Sequence, residues 1–201
     1  QFNQWFMKFA PEAFRSTRIK TTEHVKTALL ATSDLRNLDA ATLRSNPGAL
    51  PTLRMCTAPP LAVDRLIGLA KASKNLVSRM EEGKLPARMP AADLDTELKA
   101  LCHVLAKLLD RDIFPWLGGS QNPNDHERER ASTIVADRLC SAVANPIVRN
   151  AQEQRQLAMI GQYLDNRGYR KQAHAAGKPL KDMEPGTYTF RMNLPVGRAL
   201  K

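Results

Sequence analysis

Cysteine, aromatic residues and long apolar runs are all scarce in this chain of 201 residues. The three cysteines, Cys56, Cys102 and Cys140, are odd in number and widely spaced, which argues against a disulfide framework or a zinc site. We therefore expect reduced, partly buried thiols in a cytoplasmic protein. No apolar run approaches the roughly 18 residues of a transmembrane helix. The stretch from Gln1 to Phe14 has no small-residue cleavage site, so no signal peptide is expected, and the start without Met predicts a missing or processed N-terminus.

Motifs for nucleotide binding and for metal binding are also missing. The sequence contains neither the glycine-rich phosphate loop of P-loop proteins nor the dinucleotide fingerprint GxGxxG. Its histidines show no ligand pairing, so a zinc site is not expected. They are His24, His103, His126 and His174. Asp93 and Asp95 lie near a predicted helix start, where a carboxylate stabilises the positive end of the helix dipole, and this explains them better than metal binding.

Positive charge, by contrast, is in surplus. The net charge is +10, and the surplus is spread along the chain. Residues 1–110 have sixteen Lys and Arg against eleven Asp and Glu, and residues 111–201 have fourteen against nine. Such a surplus favours a polyanionic partner, namely DNA, RNA or a membrane surface. Arginine in particular suits phosphate oxygens and base edges. A basic protein whose charge is incidental remains the alternative.

Hydrophobic periodicity predicts a mainly α-helical chain, because apolar residues recur at helical spacing through most of it. The predicted helices cover residues 23–34, 40–44, 61–70 with a continuation over 73–82, 92–109, and 125–144. Thr22 and Asp39 are predicted N-caps, and Gly83 a predicted helix end. The segment 92–109 has the clearest apolar stripe.

The last fifty residues predict a change of structure. Asn145 is predicted to cap a further helix with Pro146 at its first position, and this helix ends near residues 166–169. Residues 187–194 then read as a strand, and β structure is expected only after about residue 178. Since a lone strand has no ladder partner, we expect this chain to be the front part of a longer protein whose sheet continues.

Two zones of basic residues are the candidate nucleic-acid contacts. The candidate contacts are Arg54, Arg65, Lys71, Lys74, Arg149, Arg155, Arg170 and Lys171. For any single member, solvated surface is the alternative interpretation. Glu153, between Arg149 and Arg155, is either part of an exposed charge network or an auxiliary catalytic carboxylate.

Three blocks of the chain resemble the XamI-type restriction endonucleases. They are residues 53–70 (LRMCTAPPLAVDRLIGLA), 136–156 (ADRLCSAVANPIVRNAQEQRQ) and 185–197 (PGTYTFRMNLPVG). The resemblance implies a type II restriction enzyme with a PD-(D/E)xK core that cuts double-stranded DNA with Mg²⁺. The family's Asp and Glu-x-Lys cannot be placed in this sequence. On this resemblance Glu153 matches the helix glutamate that many such nucleases set before the first strand.

The prediction is therefore a mainly α chain. Residues 1–144 would form a helical DNA-contacting region, and residues 145–201 the first helix and first strand of an incomplete α/β nuclease core. The parent protein would cleave a specific site in double-stranded DNA as a homodimer, because palindromic sites are read by two-fold symmetric proteins. No metal is expected on this chain itself. The alternatives are a non-catalytic helical nucleic-acid-binding module and a helical protein-interaction domain.

Overall fold

The computed structural model describes residues 2–173 and 183–190. Helix α1 spans Phe2–Ala31 and so begins far before the helix predicted from residue 23. Thr22 lies inside α1, so its predicted role as an N-cap is wrong. Pro11 is also inside the helix. The buried residues Val25, Ala28 and Leu29 attach its last turns to the core.

A left-handed turn ends α1. Ser33, Asp34 and Leu35 follow one another with positive φ angles of 49°, 55° and 67°. Such a conformation costs about 1–2 kcal/mol for each non-glycine residue, so neighbouring groups must hold it. The Leu35 N–H donates to Thr32 Oγ1 at 3.2 Å, and Trp116 Nε1–H donates to the carbonyl oxygen of Asp34 at 2.9 Å. These contacts stop the helix before residue 34, where the sequence predicted its end.

Two short helices follow. Helix α2, Ala40–Ser45, begins as predicted, because the Asp39 carboxylate accepts a hydrogen bond from the Thr42 N–H at 2.8 Å. That bond lowers the pKa of Asp39. A 3₁₀ turn, Pro47–Ala49, leads into α3, Leu50–Met55, which the sequence analysis missed. Helix α3 is nearly all buried and forms the centre of the core.

Three further helices agree closely with the prediction. They are α4, Val63–Ala70, α5, Lys74–Glu81, and α6, Ala91–Leu108. A break of three residues separates α4 from α5, and α4 starts two residues later than predicted. The predicted stripe of α6 is its buried face, with Leu98, Leu101 and Leu105 fully buried.

Helix α7 is one continuous helix, Asp125–Asp165, with Pro146 inside it. The predicted N-cap at Asn145 is therefore wrong, and so is the division into two helices. Cys140, Ala144 and Val148 are buried at intervals of four residues across the proline. This apolar face continues through the predicted boundary, so packing outweighs the hydrogen bond that proline removes.

Two short parallel strands lie beyond α7. Strand β1, Arg170–Lys171, pairs with β2, Thr187–Tyr188, in the register Arg170 to Thr187. The start of the predicted strand is confirmed, but the strand ends at Tyr188, since residues 189 and 190 are not part of it. Residues 191–194 fall outside the described part of the chain. The strand has a ladder partner, contrary to the prediction, and β1 lies before residue 178, where no β structure was expected.

The predicted fold class, mainly α, is confirmed. The chain divides into two compact units, residues 1–145 and 146–201. The core of the first unit is formed by α1 to α6 and the start of α7, around buried Leu43, Leu53, Leu66 and Phe114. Among the described helices, none is long and apolar enough to cross a membrane.

Candidate nucleic-acid interface

The structure places Arg54 in the core of the first unit. Its residue surface is only 8% exposed. The guanidinium donates to both carboxylate oxygens of Glu81, at 2.8 and 2.7 Å, and to the carbonyl oxygen of Leu61. Three guanidinium N–H groups of Arg54 therefore donate to protein partners, two of them to one carboxylate in the bidentate geometry of a strong ion pair. This placement speaks against the prediction that Arg54 contacts DNA and makes it a structural residue.

Arg65, Lys71 and Lys74 lie on the surface of the first unit. All three are exposed, and none forms an ion pair within the described residues. Arg65 belongs to α4, Lys74 begins α5, and Lys71 lies in the connection between the two helices. The structure thus collects these three predicted contacts on one helix pair, where their charges are available to an anion.

The other predicted residues belong to the second unit. Arg149 is exposed on α7, whereas Glu153 and Arg155, also on α7, are half-buried. Arg170 in β1 lies 3.5 Å from the Glu184 carboxylate, with both side chains mostly exposed. An exposed ion pair of this kind contributes little to stability. Arg170 can therefore release Glu184 and bind a phosphate instead.

Lys171 lines a cleft of about 560 Å³ in the second unit, together with part of α7 and the aromatic residues of the last segment. Its Nζ lies 5.4 Å from the centre of the Phe190 ring. The Tyr188 hydroxyl donates to Asp165 at 2.9 Å, and burial raises the pKa of Tyr188. Gly161 allows this approach, because a Cβ there would lie 3.1 Å from the Tyr188 hydroxyl.

A cleft of about 1320 Å³ in the first unit lies between α1 and α7 and was not foreseen. It has several cations, but carboxylates neutralise them. Arg18 lies 3.0 Å from Asp137, and Arg128 lies 2.9 Å from Asp34. The hydrogen bond that Arg128 donates to the Asp34 carboxylate raises the pKa of Arg128. This cleft is therefore a weak candidate for phosphate binding despite its size.

Arg138 connects two of the blocks that carry the family resemblance. From α7 it donates to Asp110 at 3.1 Å and to the carbonyl oxygens of Met55 and Thr57, at 3.1 and 3.3 Å. Residues 53–70 and 136–156 are thus joined by a hydrogen-bonded arginine. Burial raises the pKa of the adjacent Cys56 thiol. The sequence could not reveal this role, since Met55 and Thr57 lie 83 and 81 positions before Arg138, and Asp110 lies 28 positions before it.

No group of three or more His, Cys, Asp or Glu that could hold a metal ion occurs within residues 2–173 and 183–190. Mg²⁺ usually binds through one or two carboxylates together with water and substrate phosphates, and no such site is assigned among the described residues. Glu153 is a single half-buried carboxylate on α7. Its assignment as an auxiliary catalytic residue stays a prediction.

Comparison with known proteins assigns the family. The profile described as XamI restriction endonuclease matches residues 33–199, which is most of the chain. The chain belongs to the XamI restriction endonuclease family.

A curated relative agrees with this assignment. Over 199 residues the chain is 50% identical to the type II restriction enzyme SalI of Streptomyces albus G. The match covers 99% of this chain but 63% of that protein, so the chain spans less than two thirds of its relative. No solved structure matches the chain.

Proposed function

We propose that this chain is the DNA-contacting portion of a type II restriction endonuclease, and that the whole protein cleaves double-stranded DNA at a specific site with Mg²⁺. The observation that carries the proposal is the family match over residues 33–199. The surface supports it, because Arg65, Lys71 and Lys74 are exposed and form no ion pairs among the described residues. Unpaired cations of this kind bind phosphates by releasing counterions from DNA.

The remaining predicted contacts belong to the second unit. Arg149 is exposed on α7, and Arg155 is half-buried on the same helix. Arg170 and Lys171 are both exposed in β1. We propose that these four residues also face the DNA backbone, and we leave Arg54 out because Glu81 occupies its guanidinium.

Binding is tested by fluorescence anisotropy of the chain with duplex DNA at about 50 and 200 mM salt. We expect micromolar-range affinity that falls steeply with salt, since each phosphate contact contributes a slope of about 0.9 on the logarithmic scale. The variant Arg65→Met/Lys71→Met should reduce that slope by about 1.8. Lys107→Met is the control for the loss of a single positive charge, because Lys107 is exposed on the last turn of α6 and is not one of the proposed contacts. Binding that ignores salt, or its absence at low salt, would leave a helical protein-interaction domain as the better interpretation.

Cleavage is tested separately, with the chain and with a longer protein that contains it. We expect no cleavage by residues 1–201 with Mg²⁺ or Mn²⁺, because a metal-dependent nuclease needs several ligands that converge on the scissile phosphate. The described residues contain no group of three or more His, Cys, Asp or Glu that could hold a metal ion. The longer protein should cleave, and Glu153→Gln in it should reduce the rate if the helix glutamate supports the metal site. Cleavage by the 201-residue chain that disappears on Glu153→Gln would place the active site within this chain. Binding without cleavage by the longer protein would favour the non-catalytic module.

We also propose that the enzyme acts as a homodimer, because two-fold symmetric proteins match palindromic DNA sites. Sedimentation of the protein with and without duplex DNA tests this. A monomer at both conditions would argue against a two-fold symmetric complex.

A further inference from the structure

The connection between α4 and α5 has a special backbone. Each helix has eight residues, and three residues join them. Lys71, the first of these, is in the left-handed conformation with φ 51° and ψ 31°. Ser73, the last, caps α5, since its hydroxyl accepts a hydrogen bond from the Leu76 N–H at 3.2 Å. Helix-turn-helix motifs likewise join two helices by a turn of about three or four residues.

Apolar residues hold the two helices in a fixed arrangement. Leu66, Leu76 and Val77 are fully buried, and Ala70 and Ala72 are nearly so. The alanines, one at the end of α4 and one in the turn, leave room for the close approach of the helices. Because these residues lie on one side of each helix, the other side of each helix faces solvent.

Two polar contacts tie this pair to the rest of the unit. The Ser73 N–H donates to the Glu97 carboxylate of α6 at 2.7 Å, which anchors the turn. Glu81, the last residue of α5, holds Arg54 of α3 through two hydrogen bonds. Both ends of α5 are therefore fixed, so its outer face is a rigid surface.

The outer face of α5 carries side chains that suit base edges. Lys74, Asn75, Ser78 and Arg79 are exposed. Lys74 and Ser78 are neighbours on the helix surface, as are Asn75 and Arg79, because each pair is four positions apart. At 3.6 residues per turn the four side chains lie within an arc of roughly 140°. Asparagine pairs with adenine in the major groove, and lysine and arginine pair with guanine. The acid beside them, Glu82, lies 2.9 Å from Arg79.

The charges around this face suit a DNA backbone. Arg65 on α4 and Lys71 in the turn are exposed and form no ion pairs among the described residues. In a helix-turn-helix, the second helix enters the major groove while the first crosses the phosphates. Arg65 and Lys71 are placed to contact the phosphates, as the first helix of the motif does. The outer face of α5 is placed to enter the major groove, as the second helix does.

We infer that α4, the turn and α5 form a helix-turn-helix unit, and that α5 reads base edges in the major groove through Lys74, Asn75 and Ser78. The inference rests on the proposed DNA-binding function and goes beyond it, because it assigns sequence recognition to one helix. Arg65 and Lys71 supply affinity without sequence preference, whereas the face of α5 supplies the choice of site.

The test is selection of duplexes from a random library by the chain, followed by affinity measurements on the selected sequence and a scrambled one. Asn75→Ala and Ser78→Ala each remove one side chain from an exposed helix position, so the melting temperature should stay unchanged. Each should reduce the preference for the selected sequence by about 5- to 150-fold while binding to scrambled DNA is kept. Lys107→Ala is the control and should leave the preference unchanged.

A crosslink provides a second measurement that does not depend on affinity. Because all three native cysteines are buried, a thiol-specific photocrosslinker on Ser78→Cys reacts at one position. It should crosslink to bases of the selected sequence, and the same reagent on Lys107→Cys should not. No DNA binding by the unmodified chain would overturn the proposed function itself. Binding without any selected sequence, or a selected sequence that the α5 variants read as well as the unmodified chain does, would overturn the helix-turn-helix inference alone.

Discussion

Replacement of Arg54 by methionine separates a structural role from a DNA contact. The variant leaves the Glu81 carboxylate and the Leu61 carbonyl without their donor. Removal of one member of a fully buried ion pair costs about 3–5 kcal/mol. The Glu81 side chain is 24% exposed and recovers some hydration, so we expect the lower end, about 3 kcal/mol. For a unit of this size the melting temperature should fall by about 6–12 °C.

The assay combines thermal unfolding with DNA binding at two salt concentrations. Below the melting transition, Arg54→Met should bind duplex DNA with an unchanged salt slope, because a buried guanidinium releases no counterions. The double variant Arg54→Met/Glu81→Met should be more stable than Arg54→Met, since it removes the uncompensated carboxylate. Arg65→Met is the matched control, with stability within about 0.5 kcal/mol of the unmodified chain and a slope reduced by about 0.9. An unchanged melting temperature for Arg54→Met together with a reduced slope would refute the structural role and restore the contact predicted from the sequence.

Three further predictions concern the core, the α2 cap and the thiols. Leu66→Ala should lower the free energy of unfolding by about 2–4 kcal/mol, measured by urea denaturation, because Leu66 is fully buried. The lowered pKa of Asp39 means that its cap stabilises the fold above the ordinary pKa of 3.8 and loses this effect as the pH falls through the lower folded value. When the pH is lowered from about 5 to about 3, the melting temperature of Asp39→Ser should therefore fall less than that of the unmodified chain. Burial raises the pKa of Cys56, and it raises that of Cys102 to about 12, so a thiol reagent at pH 8 should label the native chain slowly and the unfolded chain at Cys56, Cys102 and Cys140. Rapid labelling of the native chain would contradict the buried placement.

Local signals determined much of the fold. The apolar stripe of α6 and the Asp39 cap of α2 could be predicted from the sequence, because each depends on residues within about four positions of one another. The family resemblance also came from the sequence, through long blocks of similar residues, and the family match over residues 33–199 confirms it. The strand that begins at Thr187 was also predicted from the sequence, whereas its ladder partner, β1, was not.

Tertiary packing decided what local patterns could not. Asn145 and Pro146 form a strong local start signal, but the apolar face from Cys140 to Val148 keeps α7 continuous. Arg54 could contact DNA only if its guanidinium were not bound to Glu81. Glu81 lies 27 positions away, and no local pattern indicates that pairing. A sequence shows which residues carry charge, but neutralisation and exposure depend on neighbours that are brought together only by folding. For this reason the sequence predicted a basic DNA-contacting surface, whereas only the fold separated buried Arg54 from exposed Arg65.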